Sequence, residues 1–303
     1  MIVVLGSINI DIRLEVESLP LAGETVHARN RRYFGGGKGA NQALAAKRAG
    51  GDVAFFGAVG EDQFAQRALG ELIEAGVPIS NIAVVGEETG SANIYVDRRG
   101  ENVIVITAGA NALVDVEMAS VAVSRARGGY LVLQQEIPNT TTRAALEMAR
   151  SSGVTTILNV SPFDRSSADL SRLADIVIAN QHEWSRLAGG ASTPQEWSVT
   201  HQQTIVVTKG SEGVSVASPS DYFELGAPTI QPVDTVGAGD TFCGYLATAL
   251  DLGESLQAAV NGAVTAASMA CLKAGAQSSI PARREVIEAG RIGMFGPRPP
   301  SAG

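Results

Sequence analysis

The sequence is poor in the residues that staple chains, ligate metals or cross membranes. It has 2 cysteines and 3 histidines in 303 residues. Cys243 and Cys271 make no disulfide framework, and their spacing offers no metal site. They read as buried thiols of a chain kept in the reducing cytoplasm. His27, His182 and His201 lack ligand spacing and read as surface or loop residues. Aromatic residues are only 5%, and Trp184 and Trp197 read as packing residues rather than as platforms for bases. Basic residues number 23 against 31 acidic ones, a net charge of -8. That balance excludes a broad nucleic-acid surface. No apolar run is long enough to span a bilayer, and the opening "MIVVLGSINID" lacks the basic leader of a signal peptide. A local anion site stays open, because backbone N–H groups bind phosphate without net positive charge.

What the chain has is a series of short apolar runs alternating with helical patterns. "IVVLG" at 2–6, "DVAFFGAVG" at 52–60, "YLVLQ" at 130–134, "VTTILNV" at 154–160, "DIVIAN" at 175–180 and "TIVVTKG" at 204–210 read as strands buried on both faces. Between them, 61–76 carries Phe64, Ala65, Ala68, Leu69, Leu72 and Ile73 at helical spacing, closed by Gly76. Helices over 115–127 and 139–152 have Asp115 and Asn139 as expected N-caps. Such alternation predicts right-handed crossovers and a mostly parallel sheet covered on both faces. Ligands of such sheets bind at the carboxyl ends of the strands. Residues 12–34 and 91–106 break the alternation and read as hairpins, the second turning at "DRRGEN". Together they are expected to form a small β lid over the strand ends, the plainer reading being two surface hairpins. The expected division is therefore a core of 1–11, 35–90 and 107–295, a lid of 12–34 and 91–106, and a frayed tail at 296–303.

Three stretches carry candidate chemistry. In "GSINID", Asn9 and Asp11 point to the same side if the chain stays extended. An amide beside a carboxylate can hold neighbouring hydroxyls, although such pairs also serve as turn formers. In "FGGGKGANQALAAKRAGG", Gly35, Gly36 and Gly37 let backbone approach a ligand closely, and Asn41 falls in the first turn of the helix that follows. Gly39 stands where a Walker A loop needs Ser or Thr after Lys38. No G-x-G-x-x-G follows the first strand either, which disfavours a dinucleotide site. In "VDTVGAGDTF" at 233–242, the N–H groups of Gly237, Ala238, Gly239 and Asp240 gather at a helix start, the positive end of its dipole. Donors there stabilise a phosphoryl group in transfer. Asp240 is placed to accept a proton from an attacking hydroxyl, and a weak base suffices where the proton leaves late. The competing role for Asp240 is a helix cap and nothing more.

"GSINID", "GGKGANQA", "ENVIVITAGAN" and "DTVGAGDTF", in this order and spacing, resemble the ribokinase-like (PfkB) carbohydrate kinases over residues 1 to about 290. "PLAGETV" and "KAGAQSSIP" resemble the ribokinase branch of that family. The resemblance implies a ribokinase-like three-layer α/β/α sandwich. It also implies ATP-dependent transfer of the γ-phosphoryl group to a sugar's primary hydroxyl, with Mg²⁺ and a monovalent cation, usually K⁺. By similarity Asp240 is the catalytic base, and the amides of Gly237, Ala238 and Gly239 form the anion hole. Asn9, Asp11, Gly37, Lys38, Asn41 and Glu136 hold the sugar. Asn180, Thr208, Gly210 and Gly213 meet the nucleotide, with Glu183 near Mg²⁺. Asp234, the carbonyls of Val236, Ala270, Lys273 and Gly275, and the Ser279 hydroxyl surround the monovalent cation. Two positions depart from the family: Gln181 replaces an acid of the nucleotide motif, and Val264 stands where relatives often carry an adenine-contacting Asn. The expected partners are ribose and ATP, with a homodimer formed through the lid. The alternatives are another acceptor (fructose, deoxyribose or a nucleoside) or a non-catalytic sugar-binding regulator.

Overall fold

The apolar runs become strands whose successive side chains enter opposite layers. The computed structural model describes residues 1–190 and 192–291; the expected tail at 296–303 lies outside them. In chain order the first half comprises β1 (Ile2–Leu5), β2 (Asn9–Val16), β3 (Ala28–Gly36), α1 (Lys38–Arg48), β4 (Val53–Gly60), α2 (Gln63–Glu74), β5 (Ile82–Val85), β6 (Gly90–Val96), β7 (Asn102–Thr107), α3 (Val116–Arg125), β8 (Tyr130–Leu133) and α4 (Asn139–Ser152). The second half comprises β9 (Thr155–Asn159), α5 (Ser167–Ser171), β10 (Ile176–Asn180), α6 (Gln181–Ala188), α7 (Pro194–His201), β11 (Thr204–Thr208), β12 (Val214–Ser218), β13 (Asp221–Leu225), α8 (Ala238–Asp251), α9 (Leu256–Ala270) and α10 (Arg283–Arg291).

Nine strands form one sheet in the order β13-β12-β11-β10-β9-β8-β1-β4-β5. The pairs from β11 through β5 are parallel, and β12 and β13 add antiparallel edge strands. Within β1, Ile2 and Val4 join the core shared with α1, α2, α8 and α9, whereas Val3 and Leu5 join the core under α3, α4 and α7. The period of two thus separates two apolar layers across one sheet, giving the three-layer α/β/α sandwich. The first crossover leaves β1 toward β4, and a later one returns to β8 on its other side. The carboxyl end of β1 is therefore a topological switch point, where open α/β sheets bind ligands.

Several local expectations meet the structure with differences. Ile73 is 49% exposed, because Ala68, Leu69 and Leu72 alone make the buried stripe of α2. Asp115 caps α3 as expected, accepting the Met118 N–H at 2.9 Å. Asn139 does not cap α4. The helix starts after Pro138, and Asn139 donates instead to Asp164 Oδ2 at 2.6 Å. Trp197 is buried, edge-on to Trp184, and donates to Gln203. Cys243 is buried and Cys271 half-buried. No helix among the described residues is long and apolar enough to cross a membrane.

The two irregular stretches pair with each other in a second sheet, β3-β2-β6-β7. Its central pair, β2 and β6, is parallel, and each carries an antiparallel neighbour. β2 begins at Asn9, so Asn9 and Asp11 lie two apart on one extended strand. β7 is the outer strand, and Val103, Ile104, Val105 and Ile106 are all exposed.

Helix α8 lies against α1 at unusually short range. A Cβ at Gly244 would stand 2.5 Å from Ala45 Cβ and 2.6 Å from both Ala46 N and Gln42 O. Gly244→Ala sets a helix-propensity gain of about 1 kcal/mol against an overpacking cost of roughly 1–3 kcal/mol. The backbone atoms of α1 cannot rotate away, so the overpacking wins. The midpoint of urea unfolding is expected to fall; a rise would show that the two helices are not locked at this contact.

Candidate active site

Gly237 ends the loop before α8 with φ at 78°, a left-handed conformation. A side chain there would also meet Ala276 Cα at 2.9 Å, so the turn that aims the start of α8 requires glycine. Ala238 opens the helix, and its N–H is turned to Thr235 O at 3.3 Å. Asp240 sits in the first turn and is 6% exposed. Its carboxylate faces inward, away from the bulk-water position of a simple cap. Asn41 Nδ2 donates to Oδ2 and Gln42 Nε2 to Oδ1, both at 2.9 Å. The Asn41 carbonyl oxygen is buried with no partner. Gln42 Oε1 in turn accepts from Gln134 Nε2 at 2.7 Å.

The Asn9 and Asp11 pair of β2 converges on the same place. Asn9 is 4% exposed, and its Oδ1 accepts from Asn111 Nδ2 at 2.8 Å. Asn111 also receives the Ile8 N–H and donates to Ile8 O, which fixes the turn from β1 into β2. Glu136 Oε2, in the loop after β8, accepts from Ser7 Oγ at 2.6 Å and from the Lys38 N–H at 3.0 Å. Gly37 precedes Lys38 with φ at 87°, and a Cβ there would strike Asn9 N at 2.8 Å. The glycine therefore lets α1 begin directly against the end of β1.

Electrostatics tie the set together. Burial, then the charges of Glu136 and Asp240, push Asp11 up to about 7, with Lys38 opposing them. Burial works against the Lys38 ammonium, but Asp240, Glu136 and Glu183 outweigh it and hold its pKa above the usual value. Burial, and next the Asp240 charge, raise the Cys243 thiol well above its ordinary range. Asn9, Asp11, Gly37, Lys38, Asn41, Glu136 and Asp240 are thus brought to one place.

The second group borders it. Asn180 and Thr208 end β10 and β11 in register. Asn180 caps α6, accepting the Glu183 N–H at 2.9 Å while Glu183 Oε2 accepts the Asn180 N–H at 2.8 Å. Gly210 and Gly213 adopt positive φ in the turn before β12. Gln181 is exposed and Val264 buried in the core of α9. The charge of Glu183 is felt by both Lys38 and Cys243, which puts its carboxylate within electrostatic reach of the first group.

A third cluster lies beneath the loop. Asp234 Oδ2 accepts the Gly275 N–H at 3.0 Å, and Oδ1 accepts the Val236 N–H at 3.1 Å. The Val233 N–H donates to Cys271 O at 2.8 Å. The segments carrying Asp234 and Val236 are therefore stitched to the one carrying Ala270, Lys273 and Gly275, with Ser279 Oγ donating to Ala276 O. Arg13 of β2 reaches Asp234 Oδ2 at 3.5 Å.

Sequence reasoning overlooked Gln42, Gln134 and Asn111. Gln42 and Gln134 are wholly buried and Asn111 is 1% exposed. For Gln42 the usable signal was a large polar side chain flanked by the inward alanines of α1. For Gln134 and Asn111 it was position alone, two residues before Glu136 and inside "TAGAN".

Known proteins of one family are similar to this chain over nearly its whole length. Residues 1–283 match the pfkB family carbohydrate kinase description. A ribokinase of Haemophilus influenzae is 35% identical over 295 residues, covering 94% of this chain and 96% of that one. A Thermotoga maritima ribokinase structure superposes with a TM-score of 0.87 at 31% identity, over 96% of this chain and 99% of that one. An Arabidopsis thaliana ribokinase complexed with ribose and ATP gives a TM-score of 0.83 at 31% identity, over 95% and 97% of the two chains. The chain belongs to the pfkB family of carbohydrate kinases, phosphotransferases that act on a sugar hydroxyl.

Proposed function

We propose that this chain transfers the γ-phosphoryl group of ATP to O5 of ribose, giving ribose 5-phosphate. One observation carries the reading: Asp240 is buried at a helix start, and the amides holding its carboxylate belong to the element that also carries Lys38. The similarity to ribokinases, one of them complexed with ribose and ATP, supports ribose as acceptor. In this reading Asp11 and Glu136 accept from ribose hydroxyls. Asn9 and Asn41 contribute amides, the unpartnered Asn41 oxygen accepting a hydrogen bond from a hydroxyl. The Gly37 turn and Lys38 close the sugar pocket. The ribose O5 oxygen attacks the γ-phosphorus, the bond to the β-bridging oxygen breaks, and the proton passes to Asp240. Each carboxylate oxygen accepts one amide, leaving lone pairs for that hydroxyl. N–H groups at Gly237 and Gly239 stabilise charge on the transferring group, joined by that of Ala238 once it turns from Thr235 O. Asn180, Thr208, Gly210 and Gly213 line the nucleotide side.

The described residues contain no cluster of three or more acids, histidines or cysteines fit to hold a metal. Mg²⁺ needs no such cluster, since it binds through one or two carboxylates and substrate phosphates. Glu183 has one oxygen in its capping bond and another for a metal-bound water. Mg²⁺ would supply charge neutralisation between the β- and γ-phosphates. The Asp234 cluster offers a carboxylate, backbone carbonyls and a hydroxyl as oxygen donors, with the Arg13 guanidinium 3.5 Å from Asp234 Oδ2. That set fits a hard monovalent cation such as K⁺, which would hold the loop ending at Gly237. The exposed apolar strand β7 is assigned to a homodimer, testable by sedimentation velocity. The two free thiols suit a cytoplasmic enzyme.

A coupled assay over ribose, fructose, deoxyribose and nucleosides should show the highest kcat/KM for ribose. Asp240→Asn should lower kcat by roughly 10²–10⁴-fold while calorimetry finds ribose binding retained. Near-normal turnover by that variant would remove Asp240 from the role of base.

The state of Asp11 gives a pH dependence of defined sign. Its ionised form accepts ribose hydroxyls, so ribose affinity should weaken as pH falls below about 7. Asp11→Asn should flatten that dependence. Because burial, Glu136 and Asp240 raise this carboxyl, its contribution to sugar-free stability is fully present below about 4 and is lost as pH rises through about 7. The melting temperature of the native chain, relative to Asp11→Asn, should therefore decline across that interval. A parallel course of the two proteins would contradict the assignment.

A further inference from the structure

The base is held from behind by two side chains that nothing in the sequence reading assigned. We propose that Gln134 and Gln42 form a positioning relay that fixes the Asp240 carboxylate for proton transfer. This rests on the reading of Asp240 as the base of a ribose kinase.

The direction of the relay follows from chemistry. An ionised carboxylate accepts hydrogen bonds and donates none. The Gln42 group at 2.9 Å from Asp240 Oδ1 must therefore be its NH₂. That choice turns Gln42 Oε1 to the opposite side, 2.7 Å from the Gln134 amide. The Gln134 group there must in turn be a donor. Its own Oε1 then points to the end of β1, where it is buried without a partner. A Cβ at Gly6 would lie 1.9 Å from that oxygen, so glycine at position 6 leaves the room Gln134 occupies. Both glutamines are wholly buried, and no bulk water can replace either donor. With the donor from Gln134, Gln42 cannot flip to present its oxygen to the carboxylate. Asn41 holds the other oxygen, so the base is gripped at two points, and one grip is locked from β8.

Three variants test this, with single-turnover rates measured across pH and ribose binding measured by calorimetry. Gln134→Met keeps the volume and removes the lock. It should slow phosphoryl transfer about 10- to 100-fold, as expected when a hydrogen bond to a charged group is compromised, with ribose affinity unchanged. Gln42→Met should do at least as much. It should also move the acid limb of the rate profile to higher pH, since a donor to the charged form is lost. Gln42→Glu keeps the bond from Gln134 but sets a second carboxyl beside Asp240, so its acid limb should move further up. It also serves if either methionine variant fails to fold. In the Gln42→Met background, adding Gln134→Met should change the rate by less than about twofold, because Gln134 acts through Gln42. The relay is refuted if folded Gln134→Met keeps the native rate and acid limb, if the two costs add, or if Gln42→Glu leaves the acid limb in place. If the native chain phosphorylates ribose in these cases, only the relay fails. If the native chain transfers no phosphoryl group to ribose, the functional reading fails and the relay goes with it.

Discussion

The contact between α1 and α8 is what the rest of the site depends on. Gly244 lets the helices approach until backbone meets backbone, and Thr248 Oγ1 donates to Ala46 O across the same seam. That approach places Asn41 and Gln42, at the start of one helix, within hydrogen-bond reach of Asp240 at the start of the other. Both helix starts are set by glycines with positive φ, Gly37 and Gly237. In the proposed reading, a sugar pocket built on β1, β2 and α1 and an anion cradle built on α8 become one site only because the seam holds.

The charge arrangement explains how such a site takes a neutral sugar and a polyanion together. Asp11, Glu136, Asp240 and Glu183 surround one ammonium, that of Lys38. Carboxylates recognise hydroxyls well and repel phosphate, so the phosphoryl group must be held by something other than net charge. In the proposed reading the N-terminal amides of α8 supply that. Burial first, and then the charges of Glu136 and Asp240, lift Asp11 to about 7, a cost of gathering acceptors in a buried space.

Much of this was legible in the sequence, and the parts that were not share a cause. The parallel strands announced themselves because strands buried on both faces are unbroken apolar runs. β5, β12 and β13 escaped notice: Ile82–Val85 is a short edge strand with no fully buried residue, and Asp221–Leu225 is exposed on its outer side and mixes Asp and Glu with aromatics. Asp240, Gly237, Asn9 and Asp11 stood out because their types are unusual at a helix start or a strand end. Gln42, Gln134 and Asn111 carried no such mark. Their roles arise from residues 92 to 198 positions away in the chain, and no local pattern encodes a partner at that distance. Asn139 failed as a cap for a related reason, since its amide found Asp164 across the fold.

A crystal structure with ribose and a non-hydrolysable ATP analogue tests the central claim most directly. The account predicts O5 at roughly 2.6–3.2 Å from an Asp240 carboxylate oxygen, with the γ-phosphoryl oxygens against the N–H groups at the start of α8. Ribose bound away from Asn41 and Asp11, or Asp240 turned to cap its own helix with O5 out of reach, would contradict it.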